Sequence, residues 1–225
     1  LKARKVILAT GGRSIPKSGS DGFGYELARR LGHQMTATVS ALVPLLLNDA
    51  MFHKALSGLS HEVELTTMVK GRKVDSRTGS LLWTHFGISG PVVMDASRFW
   101  CLAQEQEEAV DVYGNFLSGQ TQEQVRLWFM EQMQNNPRRS LAKTLAQRLP
   151  QRFAEAVIQH VGCEAHMTIA QLPRKDRAHL LTALTKFRFP IVQDRGWNYA
   201  EVTAGGVPLE EINFRTMESK LVPGL

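Results

Sequence analysis

The sequence predicts an α+β fold in which a helical subdomain interrupts a β-rich one. Apolar residues follow strand-like patterns before about residue 118 and again after Phe187, with a helical period between. The charge changes with the pattern: residues 120–190 carry eleven basic residues against five acidic ones, while the remainder is balanced at 16 of each sign. At 225 residues, 43% hydrophobic and 21% charged, the chain has the composition of an ordinary globular protein with a sizeable core.

Taken in order, RKVILAT (residues 4–10) is a continuous apolar run closed by a turn, the pattern of a buried parallel-type strand. From about Phe23 to Leu31, Tyr25, Leu27, Ala28 and Leu31 share one helical face and Gly32 supplies the stop. TATVSALVPLLL is β-rich, and HEVELTTMVKG alternates, with Val63, Leu65, Thr67 and Val69 on one face. DSRTGSLLWTHF predicts a hairpin turning at Thr78-Gly79. Pro91 after Ser89-Gly90 predicts a helix running to about Ala103, and AVDVYGN a return to strand. TQEQVRLWFMEQM, SLAKTLAQRL, RFAEAVIQHVG and TIAQLPRKDRAHLLTALTKF read as helices bounded by Pro, Gly or capping residues. FRFPIVQ and YAEVTAGGV return to strands.

No apolar run approaches the roughly 18–20 residues of a membrane span, and residues 1–10 read as a basic-flanked strand with no cleavage site after it, so no signal peptide is expected there. Cys101 and Cys163 are far apart and in no metal or redox spacing, which predicts buried thiols in a reducing, cytoplasmic setting. The start at Leu1 within a strand and the end at SKLVPGL are read as cuts through a larger protein.

Four stretches bear on chemistry. Gly11 through Ser18 has the spacing of a phosphate loop, but Pro16 stands at its second glycine, removing an N–H and fixing φ; a triphosphate loop is therefore excluded. The G-x-G-x-x-G dinucleotide fingerprint is absent. THFGISGP (84–91) reads as a structural strand-to-helix connection, with presentation of N–H groups to an anion as the sharper alternative. EVTAGGVPLEEI (201–212) ends a strand in paired glycines, which allow backbone to approach a flat ligand closely. None of the seven histidines (33, 53, 61, 85, 160, 166, 179) has a carboxylate at metal or triad spacing, so neither a metal site nor a catalytic residue is assigned.

VILATGGRSIPKSGSDGFGYELARRLGH, LVPLLL, WTHFGISGPVVMDAS and VTAGGVPLEEINFRTMESKLVPGL together resemble the YhiN/BaiN-type family of NAD(P)/FAD-dependent oxidoreductases, also called aminoacetone oxidase-like flavoproteins, over essentially the whole chain. The resemblance implies a β-barrel-like subdomain with an inserted helical subdomain, flanked by remnants of a Rossmann-type FAD domain. Residues 1–35 and 201–225 would be partial FAD-binding domain. Residues 36–118 and 187–200 would be the β-rich insert, and 119–186 the helical insert.

The resemblance also implies FAD as cofactor, with Ala9, Thr10, Gly11, Gly12, Thr203, Ala204, Gly205 and Gly206 lining its site and Pro16, Gly19 and Ser20 nearby. NAD(P)H is a candidate electron donor and a small molecule the substrate. Family members open with G-x-G-x-x-G and continue past VPGL into a Gly-Glu segment, neither of which this chain contains; the isolated chain is expected to be inactive and to hold FAD weakly. Arg13 and Ile15 stand where members often carry an apolar residue and tyrosine. The insert would act as a cap over the flavin. A different class, a basic nucleic-acid-binding or protein-docking module at 120–190, is the alternative. Its charges are spread around each helix without an aromatic stripe, so a solvated face is favoured and nucleic acid is not expected as a partner.

Overall fold

A long antiparallel hairpin organises the molecule. In the computed structural model, which describes residues 3–225, the chain runs through α1 (Phe23–Arg30), β1 (Val39–Ala41), β2 (Leu45–Leu47), β3 (Ser60–Val69), β4 (Arg72–Thr84), β5 (Gly87–Ser89), α2 (Pro91–Glu105) and β6 (Val110–Asn115). The helices α3 (Gln122–Asn135), α4 (Leu141–Leu145), α5 (Gln151–His160) and α6 (Arg174–Thr185) follow. Five short strands close the order: β7 (Phe187–Arg188), β8 (Ile191–Asp194), β9 (Val202–Ala204), β10 (Ile212–Asn213) and β11 (Glu218–Ser219).

The hairpin turns at Lys70-Gly71, not at Thr78-Gly79. Both turn residues have positive φ (49° and 74°), as a two-residue turn matched to strand twist requires. Gly79 instead lies within the 13-residue strand β4, where a Cβ would come 3.3 Å from Val92 Cβ on α2. Its role is helix–sheet contact.

The main sheet has seven strands in the order β7-β6-β3-β4-β5-β2-β8, and every pair in it is antiparallel. This corrects the expected fold class twice. The sheet is not closed into a barrel: its edge strands β7 and β8 come from one segment, interrupted at Phe189-Pro190. Pro190 has no N–H to add to a ladder, and the Ile191 N–H turns back to the Phe189 carbonyl (2.9 Å). Nor do the flanks form Rossmann-type remnants, which need parallel strands. The run at 4–10 forms no strand; its one recorded backbone bond is from Val6 N–H to the Gly224 carbonyl (2.8 Å), and Val6 and Ile7 are 55% and 89% exposed. An apolar run becomes a strand only where a neighbour supplies a ladder, and the described residues supply none. The first two residues of the expected 1–35 segment lie outside the described residues. What stands is a mixed α+β fold with an extended antiparallel sheet.

The helix α2 begins at Gly90-Pro91, as the sequence predicts, and buries Val92, Val93, Ala96, Trp100 and Cys101 against the sheet. Among the later helices, α3 opens with a capping box: Thr121 Oγ1 accepts from Gln124 N–H (3.2 Å) and Gln124 Oε1 accepts from Thr121 N–H (2.8 Å). One continuous core joins helices and sheet, with Phe153 of α5 set among Trp83, Phe116 and His61.

His61 makes that junction sensitive to pH. Its Nε2 accepts from Trp83 Nε1–H (3.1 Å), and burial holds its pKa down to about 4 from 6.5. The unfolded chain therefore takes up a proton between pH 6.5 and about 4 that the folded chain refuses. Stability is full above that window and falls through it, by about 3 kcal/mol from this residue. Urea titrations at stepped pH measure this. His61→Gln, which keeps an acceptor for Trp83, is expected to flatten most of the slope, leaving the smaller part due to His53 and His160, also lowered chiefly by burial.

Candidate cofactor and substrate site

The two glycine loops singled out by sequence meet in space. The Thr203 side chain joins them: its Oγ1 accepts from Arg13 N–H (2.8 Å) and lies 3.1 Å from Ser14 Oγ. A Cβ on Gly12 would fall 2.5 Å from that same Oγ1, so glycine here is imposed by contact. Gly11 has φ +70° and faces Ser20, whose Oγ would be 2.5 Å from an added Cβ. Thr10 packs on Gly24 of α1, and the Gly12 carbonyl accepts from Gly22 N–H (3.0 Å).

On the other loop, Thr203 and Ala204 belong to β9, which pairs with β1 through Ser40↔Thr203 and Val39↔Ala204. The pairing ends at Gly205, φ +88°, where a Cβ would lie 1.9 Å from the Ala37 carbonyl oxygen. Gly206 is tied to Thr36 through both backbone and Oγ1, at 2.8–3.0 Å. Tyr25 spans the two loops: its hydroxyl would be 3.0 Å from a Gly12 Cβ and its ring 3.7 Å from a Gly206 Cβ. Tyr25 was legible only as a helix-face residue, because nothing local marks a contact across 180 residues. Gly11, Gly12, Ser20, Thr203 and Gly206 thus form one cluster. Ala9 is exposed, Pro16 starts a short 3₁₀ turn (Pro16–Ser18), and Gly19, φ +99°, has nothing within 4 Å of an added Cβ.

Beside this cluster opens a polar cleft of about 660 Å³, with Arg13, Arg29, Thr38, Ser40, Gln104 and Trp197 in its walls. Asp194 is spoken for: its Oδ2 accepts from Ser40 Oγ (2.8 Å) and the Cys101 thiol (3.5 Å), and its Oδ1 from Gly196 N–H (2.6 Å). Burial first, and the Asp194 carboxylate with it, push the Cys101 pKa up to about 12, so this free thiol is held protonated and unreactive. Cys163 is also free and buried.

A second, more apolar cavity of about 540 Å³ lies between Val6–Leu8 and the last strands, with His33, Met217 and Leu225 in its lining. At its edge His33 Nδ1 is 2.6 Å from Glu211 Oε2 and Nε2 is 2.9 Å from Ser219 Oγ. The arrangement has a triad's connectivity, but Ser219 Oγ also accepts from the N–H groups of Leu221 and Val222 (3.1 and 2.9 Å). An oxygen so engaged is a turn anchor, and the set locks the end of α1 to the C-terminal strands. The three residues are up to 186 positions apart, beyond any spacing rule. In THFGISGP, the structure bears out the connection reading: Gly90, φ +89°, caps α2 where a Cβ would press 2.8 Å from the backbone of Ser80 and Leu82. Among the described residues no group of three His, Cys, Asp or Glu is placed to hold a metal, and no helix is long and apolar enough to cross a membrane.

The chain belongs to the family described as HI0933-like protein barrel and H2TH domain, which matches residues 39–202, and it is homologous to flavin-dependent oxidoreductases. It is 33% identical over 225 residues to the ribosomal RNA dihydrouridine synthase of Escherichia coli (strain K12), covering 98% of this chain and 52% of that protein. It is 32% identical to the ribosomal RNA dihydrouridine synthase of Haemophilus influenzae (strain ATCC 51907 / DSM 11121 / KW20 / Rd), covering 100% of this chain and 53% of the relative. A 3-dehydro-bile acid delta(4,6)-reductase of Clostridium scindens (strain ATCC 35704 / DSM 5676 / VPI 13733 / 19) is 29% identical, over 99% and 54%. The chain spans about half the length of the curated relatives it matches. The expected cofactor contacts all lie outside residues 39–202, on the two segments flanking the family match.

Proposed function

We propose that this chain is part of a FAD-dependent reductase of the YhiN/BaiN type, and that its substrate is uridine within ribosomal RNA. The observation that carries the reading is the meeting of the 9–12 and 203–206 loops at Thr203, beside an open polar cleft. The relatives named ribosomal RNA dihydrouridine synthases, similar along nearly the whole chain, support the substrate. The basic helices support it too: Arg138, Lys143, Arg174 and Lys175 are exposed and make no salt bridge among the described residues. In this reading these side chains meet RNA, where the sequence favoured a solvated face.

In this reading residues 1–35 and 201–225 serve the cofactor and 36–200, with its helical part at 119–186, serve the substrate. The two glycine loops would border a flat ring system, with Gly205 and Gly206 holding the second loop's backbone against residues 36–37 and Tyr25. Ala9–Gly12 and Thr203–Gly206 would line FAD, with Pro16, Gly19 and Ser20 nearby. FAD, once reduced by NAD(P)H, would supply the hydride for the conjugated double bond, with the balancing proton taken from solvent. The chain's own part is to bind and orient: Thr203 fixes the loop carrying Arg13, and Tyr25 holds the two glycine loops at a set distance.

Full-length protein is expected to purify yellow and, with NADPH and ribosomal RNA, to yield dihydrouridine on nucleoside mass spectrometry. A colourless protein, or NADPH oxidation that leaves every uridine unreduced while an unsaturated bile acid is consumed, would sink the proposal.

A further inference from the structure

The turn that follows β8 carries a feature the cofactor reading leaves unused. In Asp194-Arg195-Gly196-Trp197-Asn198-Tyr199, one arginine stands beside two aromatic residues. The Arg195 guanidinium carbon lies 3.7 Å from the Tyr199 ring centre and 4.0 Å from that of Phe86. From the neighbouring loop, the Arg13 guanidinium lies 4.6 Å from the Trp197 ring centre. The turn is rigid: Tyr199 N–H bonds the Gly196 carbonyl (3.0 Å), Gly196 N–H bonds Asp194, and Ile15 N–H bonds the Trp197 carbonyl (2.9 Å). Tyr199 is nevertheless 50% exposed.

Glu105 and Asp194 share the cleft lining with Arg13 and Arg29, and Asp21 and Glu26 line the adjoining hollow, but none of these carboxylates is ion-paired with the arginines. Among the described residues, no carboxylate lies within 4.0 Å of the side chains of Arg13, Arg29 or Arg195. The one side-chain hydrogen bond recorded for these guanidinium groups is a long one, from Arg13 to Thr38 Oγ1 (3.4 Å). A guanidinium stacked on a ring keeps its edge N–H groups available, and those groups match phosphate oxygens. Aromatic faces and Arg planes are also the surfaces on which unpaired nucleobases stack. Arg13 and Trp197 both line the cleft, and Arg13 is the residue next to Gly12.

We propose that the 195–199 turn, with Arg13 and Arg29, is a docking platform for single-stranded RNA. Bases flanking the target uridine stack at Trp197 and Tyr199, Arg13 and Arg29 take phosphates across the cleft, and Arg195 stiffens the Tyr199 ring. Stacking of the flanks holds the strand open, so that one base can be presented to the flavin side. The inference rests on the RNA-substrate reading and adds which surface grips the strand.

The test is fluorescence anisotropy of full-length protein with a labelled single-stranded oligouridylate of about 12 nucleotides, over a salt series. Trp197→Ala and Tyr199→Ala are each expected to weaken binding about tenfold. Flavin content should be unchanged, and Tyr199→Phe should retain wild-type affinity. The Arg13→Gln/Arg29→Gln variant should lower the slope of log K against log salt by about 1.4, at about 0.7 per phosphate contact. Should the alanine variants bind as wild type does, the platform is wrong while the RNA reading survives. If Tyr199→Phe fails as Tyr199→Ala does, the ring is not acting by stacking and the platform is likewise overturned. If wild type itself ignores the oligonucleotide, both readings fall.

Discussion

Phe153→Ala is expected to destabilise the protein by about 3–5 kcal/mol, as loss of a large ring from a closed core does. The ring is 0% exposed and stands where three parts of the chain meet. Its centre is 4.4 Å from Phe116 after β6, 4.7 Å from His61 on β3 and 5.8 Å from Trp83 on β4. Phe52, which also touches Trp83 and Phe187, is 6.4 Å away. Truncation leaves a void bounded by a sheet on one side and a helix on the other, neither of which can collapse into it alone. Chemical denaturation should therefore show a lowered midpoint. Phe214→Ala is the control: at 78% exposed, that ring is expected to change stability by less than about 0.5 kcal/mol. Equal effects at the two positions would show that Phe153 is not the keystone its contacts imply.

Gly205→Ala is expected to cost about 3 kcal/mol or more and to strip flavin from the full-length protein. Two separate penalties act there. At φ +88° an alanine is strained by about 1–2 kcal/mol. Its Cβ would also stand 1.9 Å from the Ala37 carbonyl oxygen, which belongs to backbone and cannot swing aside. The residues that must move lie just beyond the end of the β1–β9 ladder, so the 203–206 loop would shift away from Gly12. Gly119 separates the two penalties: it has φ +73° but nothing within 4 Å of an added Cβ. Gly119→Ala should cost only the backbone strain, about 1 kcal/mol, with flavin content intact. If Gly205→Ala purified fully yellow and as stable as Gly119→Ala, the loop would not be a cofactor wall.

Much of the secondary structure was readable because local rules decide it. Val63, Leu65 and Thr67 alternate inward along β3 as their period of two requires. Val125, Trp128 and Phe129 gather on the buried face of α3, and Gly90-Pro91 starts α2. The hairpin turn was misplaced since Thr78-Gly79 and Lys70-Gly71 both look like turns. Only the pairing of β3 with β4 selects the second. RKVILAT failed for the same kind of reason: its composition is that of a strand, but a strand exists only with a partner.

The glycine loops show the division most clearly. Sequence alone marked Gly11, Gly12, Gly205 and Gly206 as places where backbone approaches something, because glycine tolerates positive φ and close contact. The fold supplied what they approach within the chain: Ser20, Thr203 and the backbone at Ala37. The open sheet, the Arg195–Tyr199 stack and the His33–Glu211–Ser219 lock were beyond any local rule. The sheet order, the Arg195–Phe86 contact and the His33 lock each join residues tens to hundreds of positions apart, and their encounter is set by how the whole core packs. What the sequence determined by itself was most of the elements and the homology to flavin-dependent oxidoreductases, since both rest on local pattern. Which surfaces face one another was left to tertiary structure, because contact between distant residues is a property of packing.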